Sequence, residues 1–384
     1  MTARLPFLLI ILAMGAACVP AAPPSAPTTP ATAQPRATGQ PVTAAATASQ
    51  FQQLLEAVRA EPAKLVVVDT RPTDPGAQKT IADAFNKRFG LNVSIEWIIE
   101  HNIPQFPKFI TELKAGRQAP DVETWDTYQV PIANREVPGT YKQFDWVGVF
   151  SEALPDIVRY VDHVPVPEVR GLALASTDLL YSIAYNTKLI SKGDVPTSFE
   201  DLAQPQWKGK FGVQSVSAAP FQVLALKQGW GPEKTDQVLG ALMANQPFLK
   251  QGSPALLDAL GRGEVPVAIG SLPTVYSLQQ DGAPVDFRAI PLVPELQQVI
   301  AVTEGPQQKS VNTARLFAAW LVVEGKQFMW REGKGVTADK DWPVLRALLA
   351  DNPNVQFVSA TTLEDYTAME QLNTTLYKKY YPGA

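Results

Sequence analysis

The chain has almost no cysteine or histidine. Among 384 residues there is one cysteine, Cys18, and two histidines, His101 and His163, far apart in sequence. A single cysteine forbids an intrachain disulfide, and without CxxC or HExxH spacing a Cys/His zinc site is excluded. Carboxylate-rich Ca²⁺ or Mg²⁺ sites stay open, because their ligands leave no such signature. Long Lys/Arg runs are also missing and the net charge is −4, whereas a nucleic-acid binder concentrates basic residues on one face. No apolar run reaches the ~20 residues a spanning helix needs. GxSxG, GxGxxG and GxxxxGK[ST] are absent, and Gly333-Lys334-Gly335 lacks both the earlier glycine and the following hydroxyl. No nucleotide, cofactor or catalytic constellation is therefore expected.

What is present is an ordinary globular composition, 46% hydrophobic and 18% charged, long enough for about two domains. Ahead of it stands a targeting segment. Arg4 precedes the short apolar stretch Leu5 to Ala17, which ends in the small residues Gly15, Ala16 and Ala17 and runs directly into Cys18. A short apolar core with a small-residue exit reads as a secretory signal over 1–17. It resembles a bacterial lipobox, although Gly15 stands where that motif prefers Leu. The resemblance implies lipidation of Cys18; the other reading is a plain signal with an incidental cysteine. Residues 18–49 then form an Ala/Pro/Thr tether in which Arg36 is the only charge, too poor in apolar side chains to offset its ordering entropy.

The globular part alternates strand and helix patterns. Phe51, Leu54, Leu55 and Val58 recur at helical spacing, and Leu65 to Val68 is the continuous β-branched and aliphatic run of a doubly buried strand. Thr70 to Gly76 is turn-rich, and Ile81, Phe85 and Phe89 mark a helix stopped by Gly90. Leu91 to Trp97 alternates as a strand. Further helices are expected over 106–115, 220–228, 233–244 and 254–260, and strands over 211–216 and 265–269, with 283–291 extended. Asn312 is expected to cap a long helix through Trp330. Such alternation predicts an α/β class with largely parallel pairing.

Three stretches resemble one family. The first is Leu180 to Leu189 (LYSIAYNTKL), followed by Val195 to Leu202 and Trp207-Lys208-Gly209-Lys210. The second is Gly263 to Gly270 (GEVPVAIG) with Asp281 to Val285, and the third is Val311 to Phe317 (VNTARLF). In this order they resemble bacterial extracellular solute-binding proteins of ABC importers, in the branch of ferric-iron, thiamine and polyamine binders. The resemblance implies a two-lobe, type II periplasmic-binding-protein fold, with lobe 1 over 62–175 and 288–335 and lobe 2 over 176–287 and 336–384. Crossing strands are expected near Ala173–Ala184 and Asp286–Leu292. It also implies a monomer at the extracellular membrane face or in the periplasm. There it would bind a small solute in the cleft and hand it to a permease and ATPase. A secreted lipoprotein hydrolase on this scaffold and a ligand-sensing receptor subunit are the alternatives.

In open α/β sheets ligands bind beyond the carboxyl ends of strands, which nominates the residues there. Thr70, Arg71 and Thr73 follow the first strand, and Arg71 has the geometry to grip a carboxylate or phosphate or else sits as a surface arginine. Trp125 and Asp126 follow Val122; Trp125 offers a cleft wall and cation–π face or belongs to the core. Ser215 and Ser217 follow Val213, Ser271 and Tyr276 follow Ile269, and Tyr185 lies near a crossing strand. Relatives that carry ferric iron place two adjacent tyrosines after the strand matching Val265–Ile269. Here Ser271 to Tyr276 has no such pair, and Tyr380-Tyr381 sits at the C-terminus in a position suited to tail packing. An organic or phosphorylated solute is expected instead of iron.

Overall fold

The computed structural model describes residues 49–381. The signal segment, Cys18 and almost all of the tether lie outside them. No helix of the described residues is long and apolar enough to cross a membrane.

The first helix, Gln50–Ala60, buries Phe51, Leu54, Leu55 and Val58 as their spacing requires, and Ser49 caps it. Ten strands follow: β1 (Lys64–Asp69), β2 (Ser94–Ile99), β3 (Val122–Asp126), β4 (Ala173–Asn186), β5 (Phe211–Gln214), β6 (Phe248–Lys250), β7 (Val267–Ser271), β8 (Val285–Arg288), β9 (Leu292–Val302) and β10 (Gln356–Val358). They form two arms. In the first, β2, β1 and β3 are parallel and β9 joins β3 antiparallel. In the second, β6, β5 and β7 are parallel and β7 joins β4 antiparallel.

The connection between the arms is β4 itself. Ala173 to Leu180 pair with β9, and Tyr181 to Asn186 pair with β7 and β8. This is the crossing strand expected near Ala173–Ala184. The second crossing segment falls where it is expected, at Asp286–Leu292, running from β8 in the second arm to β9 in the first. Val285–Arg288 is the short strand β8, which pairs with the far end of β4, and the long strand β9 begins at Leu292. Glu295, Gln297 and Gln298 hid β9 in the sequence. They are polar and break the apolar pattern, yet Glu295 and Gln298 are buried in the strand.

Local signals behaved unevenly. Gly90 ends its helix at φ 64°, a left-handed cap that a glycine adopts without strain. The expected long helix from Asn312 through Trp330 is present as one continuous helical run, Val311–Trp320 and Lys326–Met329 joined by a π-turn over Leu321–Gly325 and closed by a short turn at Trp330–Glu332. Its amino end is capped from outside, by the Glu61 carboxylate accepting from the backbone N–H groups of Asn312 (3.0 Å) and Thr313 (2.8 Å). The helix expected over 220–228 is one short turn, Phe221–Leu224. At the C-terminus, Tyr380 donates to Asp236 and Tyr381 is buried, so that pair does pack the tail.

Candidate functional site

The carboxyl ends of β1 and β3 in the first arm and of β5, β6 and β7 in the second face each other. Arg71, just after β1, reaches Ser277 in the helix after β7 at 3.4 Å. A Cβ built on Gly252, after β6, would lie 4.0 Å from the His101 ring, which follows β2. The two rows of strand ends are thus in contact, with the polar groups between them buried.

Asp126, the last residue of β3, occupies the middle. It is 3% exposed. Gln298 of β9 donates to its Oδ1 at 3.0 Å, and its own N–H donates to Gln129 Oε1 at 2.9 Å. Asn102 donates to the same Gln129 oxygen at 3.2 Å. These are neutral partners, and no ion pair reaches Asp126 among the described residues. Burial pushes its carboxyl up to about 6, with Gln298 and Asn102 only partly opposing the shift. An unpaired buried carboxylate is costly, so this residue is the strongest indication of what the cleft accepts.

Tyr181 comes next. Register places it opposite Ser271, at the end of β7, while Tyr185 lies four residues further, opposite Val267. Burial raises the Tyr181 phenol, the Asp126 charge adds to this, and a hydrogen bond with Gln214 at the end of β5 opposes it. Tyr181 therefore links the two arms. Tyr128 is likewise raised, first by burial and then by the Asp126 charge, and it bonds Gln222 of the second arm.

The second arm offers neutral groups. Ser217 Oγ accepts from Gln214 Nε2 and from the Ala219 N–H, both at 3.3 Å. Ser215 is buried, its N–H bound to the Lys250 carbonyl at 2.8 Å. Ser253 Oγ accepts from the Ser271 N–H at 3.3 Å. Ser271 Oγ and Gln222 Oε1 are buried with no hydrogen-bond partner among the described residues. Buried polar atoms are normally satisfied, so these are open valences on the cleft side.

The expected residues divide accordingly. Asp126, Ser215, Ser217 and Ser271 lie at the facing strand ends. Thr70 and Arg71 are there too but are already engaged. Asp69 Oδ1 accepts from both of their N–H groups (2.6 and 3.2 Å), Lys334 pairs with Asp69, and the Arg71 guanidinium pairs with Glu332 at 3.1 Å. Thr73 is exposed, and the helix behind it, Pro75–Phe89, is capped by Asp74, whose carboxylate takes the Ala77 N–H. A phosphate would compete with that carboxylate, so the anion-gripping expectation finds no vacancy here. Tyr276 is half-buried, one turn into the helix after β7.

Two expectations need correction. Trp125 is 0% exposed and packs edge-on against Phe106, with Phe109 tilted beside it, while its Nε1 donates to Tyr141 at 2.6 Å. Successive strand residues point to opposite faces, so Asp126 at the cleft sends Trp125 into the core. Tyr185 donates to Asp286 at 3.1 Å and lies at the amino end of β7, away from the cleft. Burial and the Asp286 charge push its phenol up to about 12. Tyr181, Gln214, Asn102, Gln129 and Gln298 were missed. For Tyr181 and Tyr185, only strand register tells which one reaches the site.

A surface hollow of about 390 Å³, lined by Lys64, Asp121 and Lys309 among others, lies at the amino end of β1. It is at the wrong end of the sheet for a ligand bound beyond strand carboxyl ends.

Comparison with known proteins agrees with this architecture. The iron-bound HitA of Pseudomonas aeruginosa has 21% identity and a TM-score of 0.62, covering 83% of this chain and 99% of its own. AfuA of Actinobacillus pleuropneumoniae, with fructose-6-phosphate bound, has 20% identity and a TM-score of 0.63, covering 83% and 97%. AgtB from A. tumefaciens R10, in complex with agropinic acid, has 14% identity and a TM-score of 0.60, covering 83% and 99%. These likenesses show the type II periplasmic-binding-protein fold. Residues 172–287, from the crossing strand β4 through β8, match the family model described as bacterial extracellular solute-binding protein. That family match falls on the second arm, within a chain of type II periplasmic-binding-protein fold.

Proposed function

We propose that this protein captures a small solute bearing a basic nitrogen and delivers it to the permease and ATPase of an ABC-type importer. The match of residues 172–287 to the bacterial extracellular solute-binding family, inside the type II fold, supports the capture and delivery. One observation supports the charge of the solute: Asp126 is a buried carboxylate at the meeting of both arms, with amide and phenol neighbours and no cation among the described residues. A ligand ammonium or guanidinium there gains a charge-assisted hydrogen bond and removes the cost of the unpaired charge. The facing hydroxyls and amides of Ser217, Ser271, Gln214 and Gln222 suit the neutral part of such a molecule.

Lobe 1 is proposed as 62–175 with 288–335, and lobe 2 as 176–287 with 336–384. In support of the second boundary, the helix Leu363–Tyr380 is tied to the second arm through Asn373 to the Ala218 N–H and Lys379 to Asp236. A solute touching both lobes stabilises the closed arrangement over the open one, and the importer would read that closed form. Lipidation of Cys18, with 18–49 as tether, would hold the monomeric body beside the membrane.

The test is a thermal-shift and calorimetric screen of the purified protein against polyamines, amino acids, thiamine, fructose-6-phosphate and ferric citrate. A true ligand at 100 times its dissociation constant adds about 2.7 kcal/mol and moves the melting point by several degrees. The expected hit is cationic, and Asp126→Asn weakens it. Saturable binding of an anionic solute alone, unaffected by Asp126→Asn, refutes the charge assignment.

A further inference from the structure

The polar ribbon β4/β9 has a second face. Gln298 pairs with Thr177 of β4 and Asp126 of β3, on the solute side. Gln297, one residue earlier, pairs with Asp178, and Glu295 pairs with Leu180. Alternation along a strand therefore puts Asp178 and Glu295 on the face opposite the cleft. There they meet His163, which follows the short helix Ile157–Asp162.

One ligand atom from each of His163, Asp178 and Glu295 lies within 4.8 Å of the other two. His163 Nε2 and Asp178 Oδ2 are 2.8 Å apart. Asp178 is 0% exposed and Glu295 6%. No lysine or arginine among the described residues forms an ion pair with either carboxylate. The Thr337 N–H donates to Asp178 Oδ2 at 2.6 Å, and its hydroxyl donates to Glu295 Oε1 at 2.9 Å. Asp178 Oδ1 is buried with no protein partner. Two carboxylates and an imidazole thus share one small space, with one carboxylate oxygen left over and no lysine or arginine among the described residues to balance the pair.

We infer that His163, Asp178 and Glu295 form a divalent-cation site, of a kind suited to Zn²⁺ or Mn²⁺, on the back of the crossing strands. One imidazole nitrogen and two carboxylate oxygens are a donor set both ions accept. Bond lengths near 2.0–2.2 Å require the three groups to close in slightly. The His163 side chain is 14% exposed and leaves a path to solvent. A bound cation ties together the segment after Ile157–Asp162, β4 and β9. It therefore braces both crossing strands without touching the solute. His163 and Glu295 are 132 positions apart in the chain, which is why no motif announced the site.

The test is calorimetric titration of the chelator-stripped full chain with ZnCl₂ and with MnCl₂. One equivalent of either ion is expected to bind. Asp178→Asn and Glu295→Gln, both near-isosteric, each weaken binding at least about tenfold, with far-UV circular dichroism confirming that the variants fold. Asp126→Asn leaves cation binding unchanged, because it lies on the other face. No stoichiometric uptake of either ion, or uptake equally strong in Asp178→Asn and Glu295→Gln, overturns the assignment. Loss of uptake in Asp126→Asn alone overturns it as well, by placing the ion in the solute cleft.

Discussion

The two rows of strand ends that face each other are built from different chemistry. On the first arm they carry charge: Asp69, Arg71 and Asp126. On the second they carry hydroxyls and amides: Gln214, Ser215, Ser217, Ser253 and Ser271. Most of the first arm's charge is already neutralised, since Asp69 holds Lys334 and Arg71 holds Glu332. Those pairs set the shape of the loop and the segment 332–334 against it. Among the described residues, Asp126 has no counter-ion. The contrast separates structural charge from charge kept for a ligand, and assigns orientation of the solute to the neutral second arm.

The largest effect expected lies behind that surface. Trp125→Ala removes a fully buried indole and costs about 3–5 kcal/mol, read from denaturant unfolding. The variant that folds should bind solute nearly as well as the parent. A stable variant with lost binding would return Trp125 to the cleft wall.

Asp126→Asn should weaken a cationic solute by about 1.5–3 kcal/mol, the range for hydrogen bonds to charged groups, which calorimetry measures as roughly a 10- to 150-fold loss. Ser217→Ala on the opposite arm should cost only about 0.5–1.5 kcal/mol. Equal losses from the two would erase the division of labour.

The same carboxylate sets a pH dependence. Its folded value is about 6, above the ~3.9 of an unfolded aspartate. Below about pH 4 both states are protonated and the stability contribution is fully present. As pH rises through 6 the folded state must ionise a buried group, and up to about 3 kcal/mol is lost. Unfolding midpoints of the unliganded protein should therefore fall between pH 4 and 7, and fall less in Asp126→Asn. Parallel pH profiles would show that Asp126 is not desolvated without ligand.

Smallest is Tyr185→Phe. It removes one partly buried hydrogen bond to Asp286, worth about 1 kcal/mol, and should leave solute affinity untouched. A drop in affinity would mean that the register argument chose the wrong tyrosine.

Regular elements of the first arm were legible because their signals are local. The run Leu65 to Val68, the spacing of Ile81, Phe85 and Phe89, and Gly90 each specify backbone geometry within a few residues. β9 was not legible, because Glu295, Gln297 and Gln298 look like solvent-facing residues until a partner strand covers them. The helix at Val311 shows the same limit: its cap is Glu61, 250 positions before Val311, and no nearby residue takes that role.

By itself the sequence determined the α/β alternation, the two-arm plan through its family resemblance, and the absence of an intrachain disulfide. It also brought Asp126, Ser215, Ser217 and Ser271 to strand ends, because a strand's carboxyl end is fixed by where its apolar run stops. Only the tertiary structure decided which residues meet. It chose Tyr181 over Tyr185, sent Trp125 inward, spent Arg71 on Glu332, and gathered His163, Asp178 and Glu295 behind the crossing strands. The physical reason is that face, register and counter-ion are properties of pairs of distant segments. Each segment alone is compatible with either outcome.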